Sequence, residues 1–327
     1  MQENKCKSCP YCEAYEAAFI APDYVSGESF SIMECSECGN GMTDISTGIS
    51  PEDAYYSDYY YGENNQKFNP LLESIIRWFR KQRANTLISH FKQSGNILDI
   101  GCGRAHMLYA FKNSGWNCIG TELSNASSQF ARNNYDIDVQ LTKDIDTLSL
   151  PKESQDLVTM FHVFEHVENP ANTLNQIHTV LKPNGILVIE VPNFDSWQSR
   201  WWNDKWHHLD PPRHLFHFSK KGLIKTLDQN GFSVVNLSTW SLEFGPFGMV
   251  QSMLNAISFE YNFLFKLLKG KWRNKDRNLL HFTIDTIIHV LLFLPALYFS
   301  LMAEIISVVS HKGGVINLVA QKKDSRL

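Results

Sequence analysis

What this 327-residue chain lacks narrows its role before any motif is read. It has no excess of positive charge: 30 Lys and Arg face 34 Asp and Glu, a formal net charge of −4. That balance argues against a general nucleic-acid binder, which needs a basic surface. The opening residues, Met-Gln-Glu-Asn-Lys-Cys-Lys-Ser-Cys, carry no apolar stretch of a secretory signal, so a cytosolic protein is expected. No segment repeats another. A long uncharged apolar run is missing too. The core Val290–Ala303, bounded by His289 and Glu304 and interrupted by Pro295, has about fourteen residues, against the eighteen or more of a membrane-spanning helix.

Cysteines number only 7, yet four of them form close pairs, Cys9-Pro-Tyr-Cys12 and Cys35-Ser-Glu-Cys38-Gly39. In the cytosol such pairs bind metal more often than they form disulfides. Two residues between thiolates let both sulfurs face one ion from a tight turn, and two such knuckles complete a tetrahedral zinc site. Cys9, Cys12, Cys35 and Cys38 are the expected ligands, with Cys6 able to replace Cys12. The spacing leaves room for a hairpin that includes Phe30-Ser-Ile-Met33. The pattern looks like a zinc ribbon, and a closed site of this kind supports folding rather than chemistry.

Glycine matters most in Asn96-Ile-Leu-Asp-Ile-Gly-Cys-Gly-Arg-Ala-His-Met-Leu108. A β-branched run ends at Asp99, then Gly101 and Gly103 make a tight turn that opens a helix. Glycines there let the backbone approach a ligand, and the helix start offers free N–H groups. The dinucleotide fingerprint needs a third glycine, and its place is taken by His106, so the pyrophosphate version of the turn is broken. A second run, Cys118-Ile-Gly-Thr-Glu122, ends in a carboxylate about twenty residues on, where an acidic side chain binds ribose hydroxyls.

Around this turn, strands and helices alternate, which predicts a parallel α/β sheet. Asn69-Pro70 starts a helix with an apolar stripe of Leu71, Leu72, Ile75, Ile76 and Phe79. Strands are expected at Ile97–Ile100, Cys118–Glu122, Val139–Leu141, Asp156–Phe161, Ile186–Val191, Phe232–Leu237 and Val315–Ala320. Pro183-Asn-Gly185 and Asn230-Gly231 mark turns.

Asp-x-Gly-x-Gly with Glu122 downstream resembles the first two motifs of the class I S-adenosylmethionine-dependent methyltransferases. Three further segments agree: Lys143-Asp144-Ile145, the run from Asp156 to Pro170, and the run from Leu181 to Pro192. The chain departs from many members at Ala105, where they carry glycine. The resemblance implies a Rossmann-like seven-stranded mixed sheet whose last strand runs antiparallel beside the sixth. It also implies a cofactor site in which Asp99, Gly101, Cys102 and Gly103 hold the methionine end. Glu122 with Leu123 would take the ribose, Asp144 with Ile145 the adenine, and Phe161 would line the pocket. The tyrosine-rich Pro51–Gly62 segment is expected as a loop over that pocket or as a packed hinge.

Methyl transfer to a hydroxyl is helped by a base that titrates near neutrality, which suits histidine. His162 follows the fourth predicted strand. His208 and His214 lie in Trp206-His-His-Leu-Asp-Pro-Pro-Arg-His-Leu-Phe-His217, a polar, aromatic, proline-broken loop. Arg213 either grips an anionic acceptor or pairs with Asp210. Between the last two strands lies an insertion, Ser241–Gly314, with a basic centre, Lys269–Arg277, and a long apolar second half, Leu279–Val309. A hairpin lying in a membrane interface and a helical subdomain buried on itself or in a dimer are both open.

The expected layout is a ribbon (1–50), a methyltransferase core (51–240), the insertion (241–314) and the last strand (315–327). The expected activity is methylation of a lipid-linked sugar or glycan precursor, or of another lipid-tailed acceptor such as a quinone. The alternative acceptors are a soluble sugar, or protein or RNA. The expected partners are that acceptor and a membrane surface at the inner face, with no nucleic acid.

Overall fold

The computed structural model describes residues 15–23, 26–45, 68, 70–269 and 278–323. A helix, α1 (Pro70–Ser89), precedes a repeating series: β4 (Asn96–Ile100), α2 (His106–Asn113), β5 (Asn117–Glu122), α3 (Asn125–Tyr135) and β6 (Asp138–Leu141). It continues through β7 (Gln155–Phe161), α4 (Pro170–Val180) and β8 (Leu181–Pro192), and later through α6 (Lys220–Gln229), β10 (Phe232–Ser238) and β11 (Val315–Lys322). These strands form one seven-stranded mixed sheet in the order β10-β11-β8-β7-β4-β5-β6.

Each expected strand is present in this sheet. β4 pairs in parallel with β5 and β7, β5 with β6, and β7 with β8. The chain runs outward from β4 and then returns to β7, so strand order reverses beside β4. Ligands of open α/β sheets bind outside the carboxyl ends of strands at such a point. The last strand sits between β8 and β10. Gly314 at its start accepts from Asn193 N–H after β8, and Lys322 at its end donates to Leu181 at the start of β8, so it runs antiparallel to β8. Ile97, Leu108, Phe111, Val139 and Leu157 are fully buried between sheet and helices. The expected turn at Pro183–Gly185 is instead a bulge within β8: pairing jumps from Gln155↔Leu181 to Leu157↔Ile186.

A second, four-stranded sheet has the order β1-β2-β3-β9, from β1 (Tyr15–Pro22), β2 (Ser29–Cys35), β3 (Gly41–Asp44) and β9 (Phe216–His217). β1 and β2 form an antiparallel hairpin that contains Phe30–Met33. The turn after β2 is closed by Gly39 N–H to Cys35 O (2.8 Å) and Cys35 N–H to Asn40 O (2.8 Å), with Gly39 at φ +72°.

The chain divides into two compact units. One comprises Met1–Tyr60, Pro192–Lys225 and Ser238–Ile316; the other comprises Tyr61–Val191, Thr226–Leu237 and Asn317–Leu327. In the first, α5 (Trp197–Trp202), α7 (Gly245–Asn255), α8 (Phe263–Leu268) and α9 (Leu279–Val309) accompany the small sheet. Among its described residues the insertion holds two short helices and one of 31 residues. Asn278 caps α9 by accepting from Leu280 and His281 N–H. The helix runs through Pro295 rather than being interrupted there. Ala296, packed with Val250 and Leu254, holds it to α7, and this tertiary packing offsets the hydrogen bond that proline cannot make.

Candidate active site

The glycine turn after β4 is built by sterics. Gly101 (φ +71°) and Gly103 (φ +57°) occupy the left-handed region, and Ala105 follows at φ +56°. Ala105 is fully buried there, so the residue that departs from the family pattern bears a strain that glycine would avoid, about 1 kcal/mol. A Cβ at Gly101 would meet Val163 at 2.4 Å, whereas one at Gly103 meets no described atom within 4 Å. Among the described residues nothing covers the backbone at Gly103, so the turn has the shape of a cradle for a ligand. Gly120 is required as well, because a Cβ there would lie 2.6 Å from Cys102 Sγ.

Glu122, at the end of β5, ties the turn together. Its Oε2 accepts from Gly103 N–H (2.8 Å), and its Oε1 accepts from Leu123 and Ser124 N–H (2.9 Å each). A carboxylate offers about four acceptor positions, so capacity remains for a further donor. Asp99 is buried and accepts from Thr159 Oγ1 at 2.7 Å. Burial raises its pKa to about 7, against the hydrogen bond and the charges of Arg80 and Arg83. Burial also pushes the Cys102 thiol well above its usual range, so it is inert at neutral pH. Asp144 caps the short helix Ile145–Leu148 and accepts from Gln176 Nε2 (2.7 Å), while Ile145 is buried beside it.

At the end of β7, Phe161 lies under the guanidinium of Arg83, 4.4 Å from the ring centre. Arg83 pairs with Glu190 Oε1 (2.8 Å), and the same oxygen is 3.0 Å from His162 Nε2. His162 Nδ1 lies 3.5 Å from Glu165 Oε1. Burial disfavours a charge on this ring, but the hydrogen bonds and charges of Glu165 and Glu190 outweigh it and raise its pKa to about 9. At neutral pH the ring is an imidazolium between two carboxylates, with no lone pair to accept a proton.

The other two histidines belong to the first unit. His214 is buried; its N–H donates to Asp210 O (3.0 Å), and its carbonyl accepts from Thr43 Oγ1 (2.6 Å). His208 is half-buried with Nε2 3.3 Å from Phe244 O, and Gly248 lets the ring approach α7. Of their neighbours, His217 and His207 are driven by burial to pKa about 3 and about 4, so both are neutral at pH 7. Arg213 is fully buried and pairs with both Asp210 and Asp23, the second of its two expected roles extended to a partner on the small sheet's hairpin. Cys35 and Cys38 are buried in a turn that suits half of a four-sulfur zinc site. Cys6, Cys9, Cys12 and the Pro51–Gly62 segment lie outside the described residues.

Residues 74–237 match the family described as "Methyltransferase domain". The chain belongs to this methyltransferase family. A ubiquinone biosynthesis O-methyltransferase of Rhodopseudomonas palustris (strain HaA2) is 31% identical over 142 residues, 41% of this chain and 54% of that protein. One of Ruegeria pomeroyi is 26% identical over 164 residues, 44% of this chain and 65% of that protein. The chain therefore spans only about half to two thirds of the length of these curated relatives. A crystal structure of a SAM-dependent methyltransferase from Archaeoglobus fulgidus shares 22% identity with a TM-score of 0.48, covering 75% of this chain and 94% of that one.

Arg80, Arg83, Thr159 and Glu190 stand at this site of the methyltransferase domain without having been expected from the sequence. Two signals were available. Arg77, Arg80 and Arg83 recur every third residue, which sets them along one side of α1. Glu190 is a lone charge in the apolar run Ile-Leu-Val-Ile-Glu-Val, and a buried charge needs a partner.

Proposed function

We propose that the protein transfers the methyl group of S-adenosylmethionine to a hydroxyl oxygen of a lipid-tailed acceptor: a lipid-linked sugar or glycan precursor, or a quinone. The observation behind the acceptor class is the apolar, water-exposed face of α9. A relative named for ubiquinone biosynthesis points the same way. In this reading Gly101, Cys102 and Gly103 offer backbone to the methionine end, and Asp99 receives its ammonium. Glu122 and Leu123 meet the ribose, Asp144 and Ile145 the adenine, and Phe161 forms a wall. When bound, the cofactor supplies a methyl group activated on a sulfonium, so that a C–O bond forms as the C–S bond breaks. The protein's part is alignment, exclusion of water and removal of the acceptor proton. His214 and His208 are the bases we propose, and His162 holds the carboxylates around it. A zinc ion on Cys9, Cys12, Cys35 and Cys38 would stabilise the small sheet. We place the enzyme at the inner face of a membrane as a peripheral protein.

The test uses the full chain, S-adenosylmethionine labelled on its methyl group, and extracts of the source cells. Label recovered in the organic phase supports a lipid-tailed acceptor; label confined to water-soluble sugar or protein overturns it. The Asp99 pKa near 7 gives a second prediction. Below that pH the carboxyl is neutral, and binding an ammonium must expel its proton. Cofactor affinity should therefore rise with pH, weakening by up to about tenfold for each unit below 7. Calorimetry near pH 6.5 in buffers of different ionisation enthalpy should show proton release, and a Kd that is flat between pH 6 and 8 removes Asp99 from this role.

A further inference from the structure

α9 is built inside out. Its only two carboxylates, Asp285 and Glu304, are fully buried, as are Ser300 and Ser307. Asp285 accepts from Phe259 N–H (2.9 Å) and Glu260 N–H (3.0 Å); Glu304 accepts from Gln198 Nε2 (3.0 Å) and Gly314 N–H (3.2 Å). The outer face is mostly apolar: Leu280, Val290, Leu291, Leu294, Tyr298 and Val309 are 65–78% exposed. A helix on a water-facing surface shows the reverse pattern, and apolar patches of this extent mark a partner or a membrane.

We propose that this outer face docks the protein on a bilayer leaflet bearing anionic head groups, with the helix axis in the membrane plane. Three observations select this occupant and orientation. At 100° per residue, the exposed positions from Val290 to Phe299 and Ile306 sweep more than about 180° of the circumference. A single neighbouring helix covers a stripe of roughly 100°, so a second copy packed through α9 would leave much of the face in water, whereas acyl chains cover all of it. The buried polar ridge runs from Asp285 to Ser307, roughly 33 Å at 1.5 Å per residue. Protein therefore flanks the helix along most of its length, and Asp285 and Glu304 are bonded to the same unit, which suits a helix lying on a surface rather than one crossing it. In sequence, Lys269, Lys271, Arg273, Lys275 and Arg277 precede the helix with only Asp276 against them. Basic residues beside an apolar face favour anionic lipid.

Flotation of the full-length protein with vesicles of phosphatidylglycerol and phosphatidylcholine tests this without acceptor or cofactor. The wild type should float with the vesicles. The double variant Leu291→Glu, Leu294→Glu should lose at least tenfold in partitioning while keeping its thermal melt and its cofactor affinity. A single fluorescent unnatural side chain at Leu280, Val290 or Val309, spectrally distinct from the eight native tryptophans and read by quenching with brominated lipids, should report one shallow depth. Failure to float, flotation untouched by the double variant, self-association through α9 without vesicle binding, or depths that progress across the bilayer would each overturn the proposal. Vesicle binding without label in the organic phase would sink the acceptor reading alone.

Discussion

Glu122→Ala is expected to weaken S-adenosylmethionine binding by at least about 100-fold, roughly 3 kcal/mol, and to lower the melting temperature of the cofactor-free protein. Both effects trace to one carboxylate. It is buried, and it accepts from the N–H groups of Gly103, Leu123 and Ser124. Hydrogen bonds to a charged group contribute about 1.5–3 kcal/mol, and donors left buried without an acceptor incur their desolvation cost. Alanine removes the proposed ribose acceptor and also frees the glycine turn, so the binding loss should exceed that of a simple contact. Glu122→Gln keeps one carbonyl oxygen for the turn and should fall between wild type and alanine. Titration calorimetry with thermal melting, with and without cofactor, separates the two components. A Kd within threefold of wild type would remove Glu122 from the ribose site.

The largest effect on stability is expected at Arg213. Its guanidinium is fully buried: Nη2 lies 2.7 Å from Asp23 Oδ1, and Nε lies 2.9 Å from Asp210 Oδ1. Asp23 in turn accepts from Ser26 N–H and Oγ, closing the hairpin between β1 and β2. Removing one partner of a buried ion pair costs about 3–5 kcal/mol, because the remaining charge loses its partner without regaining water. Arg213→Ala leaves two such carboxylates, so urea unfolding should show a loss at the upper end of that range or failure to fold. Arg213→Met combined with Asp23→Asn and Asp210→Asn should recover most of the loss, since it leaves no stranded charge. If Arg213→Ala instead kept its stability within about 1 kcal/mol and raised KM for an anionic acceptor, the arginine would be a substrate clamp rather than a tie between hairpin and loop.

The cofactor side was more legible in the sequence than the acceptor side, and the reason is range. The glycine turn, the carboxylate at the end of β5 and the capped helix after Asp144 are set by neighbouring residues. Their conformations follow from glycine's freedom at positive φ, strand periodicity and side-chain capping, all properties of short windows. Ala105 shows the limit: the sequence shows one added methyl group, while the backbone shows that this methyl sits where left-handed geometry penalises it. His162 shows a larger one. As a sequence it is a histidine at a strand end, suited to act as a base. Folding places Glu190, 28 residues away, beside it, and together with Glu165 this carboxylate makes the ring a cation.

Composition and pattern alone determined the α/β class, the seven strands, the glycine turn and its acidic partner, and the existence of a long apolar segment before the final strand; the place of the last strand beside the sixth came from the resemblance to the class I methyltransferases. Tertiary structure decided what the charges do and which way the apolar segment faces. Arg213 meets Asp23 across 190 residues of chain. Such pairings depend on which elements the fold brings together, and no local propensity encodes that. For α9, periodicity places Asp285 and Glu304 on one side, but only the packing shows that this polar side is inside. A polar ridge can be buried when backbone N–H groups and side chains satisfy every carboxylate on it, and it is this satisfaction that leaves the hydrocarbon side facing outward.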